Sequence, residues 1–215
     1  MQAGRDYGCR ANRIFEDTGI AYFTLHFRKG ASMIGILLFC AMLFQTGSQA
    51  AQKPAIDNER VTVLEVNGPI AAQPNDAVVI AHSGTATFVP KGATPKIDGD
   101  SLVIDLKDHH VDPYKNPTQY QLAFPRPGSK KIFENERVIV WDSEWTPGVP
   151  SPMHFHDKDV VVWFLEDGDL KSTTPDGKET VNQYTAGTIR FNAGNRTHTE
   201  TLVKGKQRAL ITELK

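Results

Sequence analysis

The 215-residue sequence contains only two cysteines, has no excess of positive charge and lacks a long apolar run. Cys9 and Cys40 do not form a C-x-x-C motif, so we expect neither thiolate metal ligands nor a dithiol redox site. The formal net charge is −1 with no sustained basic run, which argues against a nucleic-acid partner because such proteins need a positive face. The composition, 40% hydrophobic and 23% charged, is that of one ordinary globular domain or two small ones.

Residues 1–50 contain an N-terminal extension followed by a predicted secretory signal peptide. A basic pair precedes the apolar core at residues 33–44, and small residues at Ser48 and Ala50 follow it, which is the usual order of such a signal. The apolar core is short for a bilayer, so we expect cleavage after Ala50 and no stable membrane span in the mature chain. A buried helix or a retained membrane anchor is the alternative.

The segment in front of the apolar core, residues 1–32, has no clear periodicity and is a long lead for a signal peptide. A start codon assigned too far upstream would explain it, with Met33 as the true start. The mature chain would then be periplasmic or secreted and free of cysteine. Its residues 51–215 carry 19 Lys and Arg against 22 Asp and Glu, a net charge of −3.

Beyond Ala51 the apolar segments are short, β-branched and alternating, and glycine or proline separates them. Segments such as RVTVLEV, SLVIDL, VVVWFL and RALITEL are typical of β-strands. No amphipathic helical periodicity of any length accompanies them. The pattern predicts an all-β protein with the strand spacing of a sandwich or barrel.

Four short similarities, in the same order, indicate that this β-rich part is duplicated. The matched pairs are residues 57–63 with 134–140, 76–84 with 159–168, 88–92 with 173–177, and the spacing of Gly99 to His110 with that of Gly187 to His198. We therefore predict two β-modules, residues 51–123 and 134–215, joined by a proline-containing linker at 124–133.

The second module contains a histidine pair that the first module lacks. His154 and His156 are separated by one residue, and side chains at i and i+2 of a strand point to the same face. Two imidazoles held in this way suit a first-row divalent metal, and His198 is the obvious third ligand. An isolated H-x-H is also a common accident of surface sequence.

The glycines around the pair give it a resemblance to the cupin superfamily. The first cupin motif reads Gly, five residues, His-x-His, three or four residues, Glu, six residues, Gly. This sequence has Gly148, five residues, the pair His154 and His156, four residues, Val161, six residues and Gly168. Valine stands at the position of the acidic ligand and has no lone pair to offer a metal.

The second cupin motif is more weakly matched. It reads Gly, five residues, Pro-x-Gly, two residues, His, three residues, Asn. Gly187 and His198 fall at the first glycine and the histidine, whereas Ala193, Asn195 and Leu202 replace the other motif residues.

The resemblance implies a cupin-type jelly-roll β-barrel in a bicupin-like arrangement, with a complete second module and a degenerate first one. It implies metal ligands at His154, His156 and His198. Some cupin dioxygenases lack the acidic ligand and use three histidines for iron, so a divalent transition metal is expected, with iron favoured over zinc, manganese, nickel or copper.

The pocket beside the metal is predicted from strand alternation. If the position of Val161 faces the metal, four further apolar side chains share its face. They are Trp163, Leu165, Ile189 and Phe191. Such a lining would suit a small apolar or aromatic ligand, although the same residues could simply fill the barrel. Arg190 is expected to point outward.

Three functions are consistent with these features: an exported metal-dependent dioxygenase, a non-catalytic module that binds a metal or a small ligand, and a scaffold with a vestigial site. The histidine triad favours the first two, and the missing glutamate favours the last two. Exposed strand edges would permit a homodimer.

Overall fold

Fifteen β-strands make up the regular structure of residues 53–215, the part of the chain that the computed structural model describes. The predicted all-β class is confirmed for this part of the chain, where no helix is long and apolar enough to cross a bilayer. The predicted signal peptide, its apolar core and both cysteines lie outside the described residues.

The strands form three five-stranded sheets. The N-terminal sheet contains, in spatial order, β1 (Ile56–Asp57), β2 (Val61–Val66), β5 (Ser101–Leu106), β3 (Asp76–Ala81) and β4 (Ala86–Val89). The middle sheet contains β13 (Ile189–Asn192), β10 (Asp159–Phe164), β15 (Arg208–Leu214), β8 (Val138–Glu144) and β7 (Ser129–Glu134). The site sheet contains β12 (Glu179–Tyr184), β11 (Gly168–Thr173), β14 (Arg196–Gly205), β9 (His154–His156) and β6 (Gln121–Leu122). Every pairing is antiparallel except that of β6 with β9.

The middle sheet is buried on both faces. All six residues of β10 are buried, which explains why this segment is a continuous apolar run rather than an alternating one. One face packs against the N-terminal sheet in a core that includes Val61, Ile104, Val140, Trp163 and Leu210. The opposite face packs against the site sheet in a second core that includes Trp141, Val162, Leu170, Leu202 and Ile211. The fold thus has three layers, and the functional face of the middle sheet is the one turned toward the site sheet.

Two arginines fasten the N-terminal sheet to the middle sheet in a reciprocal manner. Arg60, beside β2, donates to a carboxylate oxygen of Asp159 at 2.9 Å and to the backbone carbonyl of Lys215 at 3.3 Å. Arg137, beside β8, donates to the backbone carbonyl of Lys107 at 2.9 Å. Each arginine therefore contacts the end of a central strand in the other sheet.

The turns that precede β2 and β8 are also built alike. The side-chain oxygen of Asn58 accepts hydrogen bonds from the second and third backbone N–H groups that follow it, at 2.8 and 2.9 Å. Asn135 accepts the corresponding two bonds, both at 2.9 Å. The shared letters N-E-R-V thus form the same local structure twice.

The module boundaries stay a prediction, and the predicted linker contains regular structure. The segment 124–133, expected to be a linker, supplies β7 and places Phe124 in the core of the second module, where its ring stacks on Trp141 at 4.9 Å. Tyr114 also bonds to this module, since its backbone N–H donates to Asp157. The first module is one sheet and the second is a pair of facing sheets, so the bicupin-like arrangement is not confirmed.

Candidate metal centre and its pocket

Three histidines converge at the inner face of the site sheet. His154 and His156 lie on β9, and His198 lies on the adjacent β14, where it pairs directly with His154. The Nε2 atom of His156 is 3.2 Å from the Nε2 atoms of both other histidines. All three side chains are buried. The structure thus brings the three predicted ligands together; that they bind a metal stays a prediction.

The backbone sets the tautomer of His154. Its Nδ1 atom lies 2.7 Å from the carbonyl oxygen of Pro152, which can only accept, so Nδ1 carries the proton and Nε2 carries the lone pair. This hydrogen bond also holds the ring in the orientation that a metal ligand needs. Pro152, which precedes β9, therefore has a direct role in orienting the imidazole.

Burial keeps the three imidazoles neutral. Desolvation, reinforced by the positive charge of Arg126, lowers the pKa of His154 to about 3. Burial also lowers the pKa of His198 to about 4 and that of His156 well below its ordinary value. Neutral imidazole is the form that binds metals, so the three rings have the protonation state of a metal ligand at neutral pH.

The arrangement fits a divalent transition metal. Imidazole nitrogens bound to such an ion at about 2.1 Å and at right angles to each other are about 3 Å apart, close to the 3.2 Å separations found here. One ligand nitrogen from each of the three rings lies within 4.8 Å of the other two, so a single ion could reach all three. Three imidazoles suit several metals and do not select one.

Two charged side chains that the sequence did not point to stand beside the histidines. Arg126, buried, lies with one nitrogen 3.0 Å from Nε2 of His154 and donates with another to Glu200 at 3.3 Å. The indole N–H of Trp145 donates to the same carboxylate at 3.2 Å. Burial alone would raise the pKa of Glu200, but Arg126 and neighbouring groups outweigh it and hold that pKa at about 2.

Glu200 is beside the histidine group rather than within it. Its nearer oxygen is 4.0 Å from Nε2 of His198. It shares a face with His198 because the two are separated by one residue of β14, so strand alternation could have identified it. Strand alternation could not have identified Arg126, because this residue lies in a loop between two strands.

Arg126 has a direct consequence for metal binding. The Nε2 atom of His154 has one lone pair, and the hydrogen bond from Arg126 uses it. A metal ion would need the same lone pair, so the two interactions exclude each other. The positive charge of Arg126 also opposes a cation at this point, an effect that Glu200 partly offsets.

A pocket of about 130 Å³ opens next to the histidines, between the site sheet and the middle sheet. Val160 and Val162 of β10, with Ile211 of β15, form its apolar side. Arg190 lies directly opposite Val162 on the neighbouring strand, so it shares the pocket face and does not point away as predicted. Arg196 joins it from β14.

The predicted pocket residues lie on the other face of the middle sheet. Val161, Trp163 and Leu165 belong to the core against the N-terminal sheet, and the partly buried Ile189 and Phe191 pack against it. The prediction was wrong by one position, since Val160 rather than Val161 faces the histidines. β9 and β10 belong to different sheets, and the turn between them breaks the alternation that the spacing assumed.

A tight turn places β14 relative to β9. The backbone N–H of Gly194 donates to Asp159 at 2.8 Å, and that of Asn195 donates to the carbonyl of His156 at 2.8 Å. A β-carbon on Gly194 would lie 2.7 Å from the ring of Tyr114, so glycine is required for this close approach. The turn delivers His198 to the other two histidines.

Comparisons with known proteins gave similarities to solved structures alone. No model of a protein family matches the sequence, and no curated protein sequence matches it. Solved structures with a similar arrangement include a cupin domain from Bordetella pertussis, with 27% identity and a TM-score of 0.38 over 43% of this chain and 99% of that one. A cupin 2 conserved barrel domain protein from Leptotrichia buccalis has 14% identity and a TM-score of 0.40, over 74% of this chain and 86% of that one. The polyketide cyclase RemF from Streptomyces resistomycificus has 21% identity and a TM-score of 0.34, over 46% of this chain and 77% of that one. The facing middle and site sheets fit a cupin fold.

Proposed function

We propose that this protein is an exported, cupin-type metal protein that binds one divalent transition metal through His154, His156 and His198. The observation that carries the proposal is the convergence of three buried imidazoles beside a pocket, with Nε2 of His156 3.2 Å from Nε2 of each of the other two. Export is proposed from the predicted signal peptide alone.

The metal would supply Lewis acidity next to the pocket. Three protein ligands leave coordination positions free, which is the condition for binding a small molecule at the ion. The chain's own contribution is to hold the imidazoles unprotonated and to place Glu200 and Arg126 beside them. A dioxygenase is the reaction we propose to test first, with iron as the favoured metal. Binding of a small ligand without catalysis is the other function that the open pocket supports.

The experiment is the metal content of the purified full chain, without a histidine tag, measured by plasma mass spectrometry. We expect about one equivalent of a transition metal. The double variant His154→Ala/His156→Ala should lose it, because one imidazole cannot retain the ion against buffer.

The matched control is His109→Ala/His110→Ala, which removes a histidine pair that is exposed at the end of the first module. This variant should keep the metal of the unmodified protein. Absence of metal from the unmodified protein, even after reconstitution with iron, zinc, manganese, nickel and copper in turn, would contradict the proposal.

A further inference from the structure

The pocket beside the histidines carries more positive charge than its own carboxylate neutralises. Three of the described residues that line it are arginines, Arg126, Arg190 and Arg196, whereas Glu200 is the one acidic residue among them. The histidines are neutral, so the lining has a net charge of about +2 at neutral pH. A divalent metal would increase this excess.

The carboxylate of Glu200 already has hydrogen-bond donors within the protein. Glu200 accepts hydrogen bonds from Arg126 and from the indole of Trp145. The two other arginines are held only by neutral groups. Arg190 donates to the hydroxyl of Tyr184 at 3.4 Å, and Arg196 donates through Nε to the carbonyl of Ala193 at 3.0 Å.

The position of Arg196 makes this arrangement costly without an anion. The side chain of Arg196 is partly buried and shares the pocket lining with two further arginines, Arg126 and Arg190. A charge in such a place is normally paired. Among the described residues, no carboxylate lies within 4.0 Å of Arg190 or Arg196. The unused donors of both side chains are therefore free for a ligand.

We propose that the pocket binds a small organic acid, with Arg190 and Arg196 holding its carboxylate beside the three histidines. A planar guanidinium matches a carboxylate with two parallel hydrogen bonds. The apolar side formed by Val160, Val162 and Ile211 would cover the carbon chain, which inorganic phosphate lacks. This inference rests on the proposed function of the same site and replaces the apolar ligand predicted from the sequence.

The pocket volume limits the size of the acid. At about 130 Å³ it is slightly smaller than the engineered cavity of about 150 Å³ that takes up benzene. Acids of two to four carbon atoms are therefore the expected class, and the negative charge rather than an aromatic ring is the feature recognised.

The experiment is isothermal titration calorimetry on the full chain after its metal has been removed and the chelator dialysed away. Acetate, malonate and succinate are the probes, malonamide is the neutral isostere of malonate, and inorganic phosphate is the inorganic anion. We expect at least one of the acids to bind, malonamide not to bind, and phosphate to bind more weakly. Arg196→Gln and Arg190→Gln should each weaken acid binding about tenfold or more, because each removes a charge-assisted hydrogen bond.

Lys204→Gln is the matched control. It removes a positive charge from β14, the same strand as Arg196, at an exposed position outside the pocket, and it should leave the affinity unchanged. Far-UV circular dichroism shows whether Arg196→Gln folds. If it does not, the affinity of Arg190→Gln for the acids tests the proposal, because Arg190 is exposed and its replacement leaves the core intact.

The result separates this inference from the proposed function. Metal content is measured independently of the acid, so a protein that holds metal but binds none of the acids up to about 10 mM would overturn the inference and leave the proposed function standing. Equal affinity for malonate and phosphate, or equal loss in Lys204→Gln and Arg196→Gln, would also overturn it. Acid binding by a protein that retains no metal would support the arginine site and contradict the metal proposal.

Discussion

At the scale of single residues, the candidate site depends on keeping three histidines unprotonated inside the protein. Their pKa values are lowered chiefly because burial penalises the charged imidazolium, and the guanidinium of Arg126 adds to this effect. The same burial that prepares the ligands therefore makes the metal-free protein sensitive to acid.

We predict that the metal-free protein loses stability as the pH falls from about 6.5 to about 4. In this window the unfolded chain binds protons at His154 and His198, whereas the folded chain does not, since their folded-state pKa values are about 3 and about 4. The free energy of unfolding then decreases with falling pH, by an amount on the order of a few kcal/mol in total. Urea unfolding of the metal-free full chain at pH 7 and at pH 4.5 measures it.

A variant comparison identifies the groups responsible. Replacing His154, His156 and His198 by glutamine should flatten the pH dependence, while the same replacement of His109 and His110, which are exposed, should not. An unchanged slope in the triple variant would show that other groups cause the acid sensitivity.

At the scale of elements, each of the N-terminal and middle sheets contributes one arginine to the contact between them, but the two arginine–aspartate pairs differ in burial. The pair formed by Arg60 and Asp159 is buried, with side chains 6% and 8% exposed. Its counterpart, Arg137 with Asp76, is 4.0 Å apart and about one-third exposed. The two pairs therefore contribute differently to the free energy of unfolding, because solvent screens the second pair.

We predict that Arg60→Met lowers the free energy of unfolding by about 3 kcal/mol, since it leaves the carboxylate of Asp159 buried without its charged partner. Arg137→Met should cost about 1 kcal/mol or less. Urea unfolding followed by tryptophan fluorescence compares the two. Equal losses would show that burial does not distinguish the two contacts.

The reciprocal contacts also bear on the predicted duplication. Both N-E-R-V turns bond alike, and β2, β5 and β3 lie in the same spatial order as β8, β15 and β10. The other two sequence similarities do not follow this correspondence, because β4 lies where β13 does rather than where β11 does. The repeat remains a prediction, supported by two of its four similarities.

At the scale of the whole molecule, the N-terminal sheet acts as a third layer that covers the face of the middle sheet turned away from the site. The core between these sheets is continuous, and the described residues, 53–215, lie in one compact unit. We infer that the two predicted modules unfold together and that the N-terminal sheet supports the site through the middle sheet.

We predict that Leu102→Ala, in the core of the N-terminal sheet, destabilises the whole unit by about 3 kcal/mol through the cavity it leaves. Tryptophan fluorescence, which reports on Trp163 in the middle sheet, and far-UV circular dichroism should give a single coincident urea transition. Val181→Ala, at a residue that is 53% exposed, is the control and should change stability little. Two separate transitions would contradict the single cooperative unit.

Features that depend only on local chemistry could be predicted from the sequence. Short alternating β-branched runs predicted the strands, because side-chain direction in a strand has a period of two. The pair His154 and His156, with His198, could be proposed as one site because the first two share a face by alternation and the third follows from the cupin resemblance. Composition gave the expectations of no thiolate site and no nucleic-acid partner, and both stay predictions.

The lining of the pocket was decided by tertiary structure. Alternation relates residues within one strand, but β9 and β10 belong to facing sheets, and the turn between them set Val160 rather than Val161 toward the histidines. Arg126 comes from a segment with no periodicity, and it reaches His154 only because that segment folds into the second module. The net charge of a pocket depends on which residues the fold brings together. The excess of arginine over carboxylate therefore appeared only when β13, β14 and the loop that contains Arg126 came together.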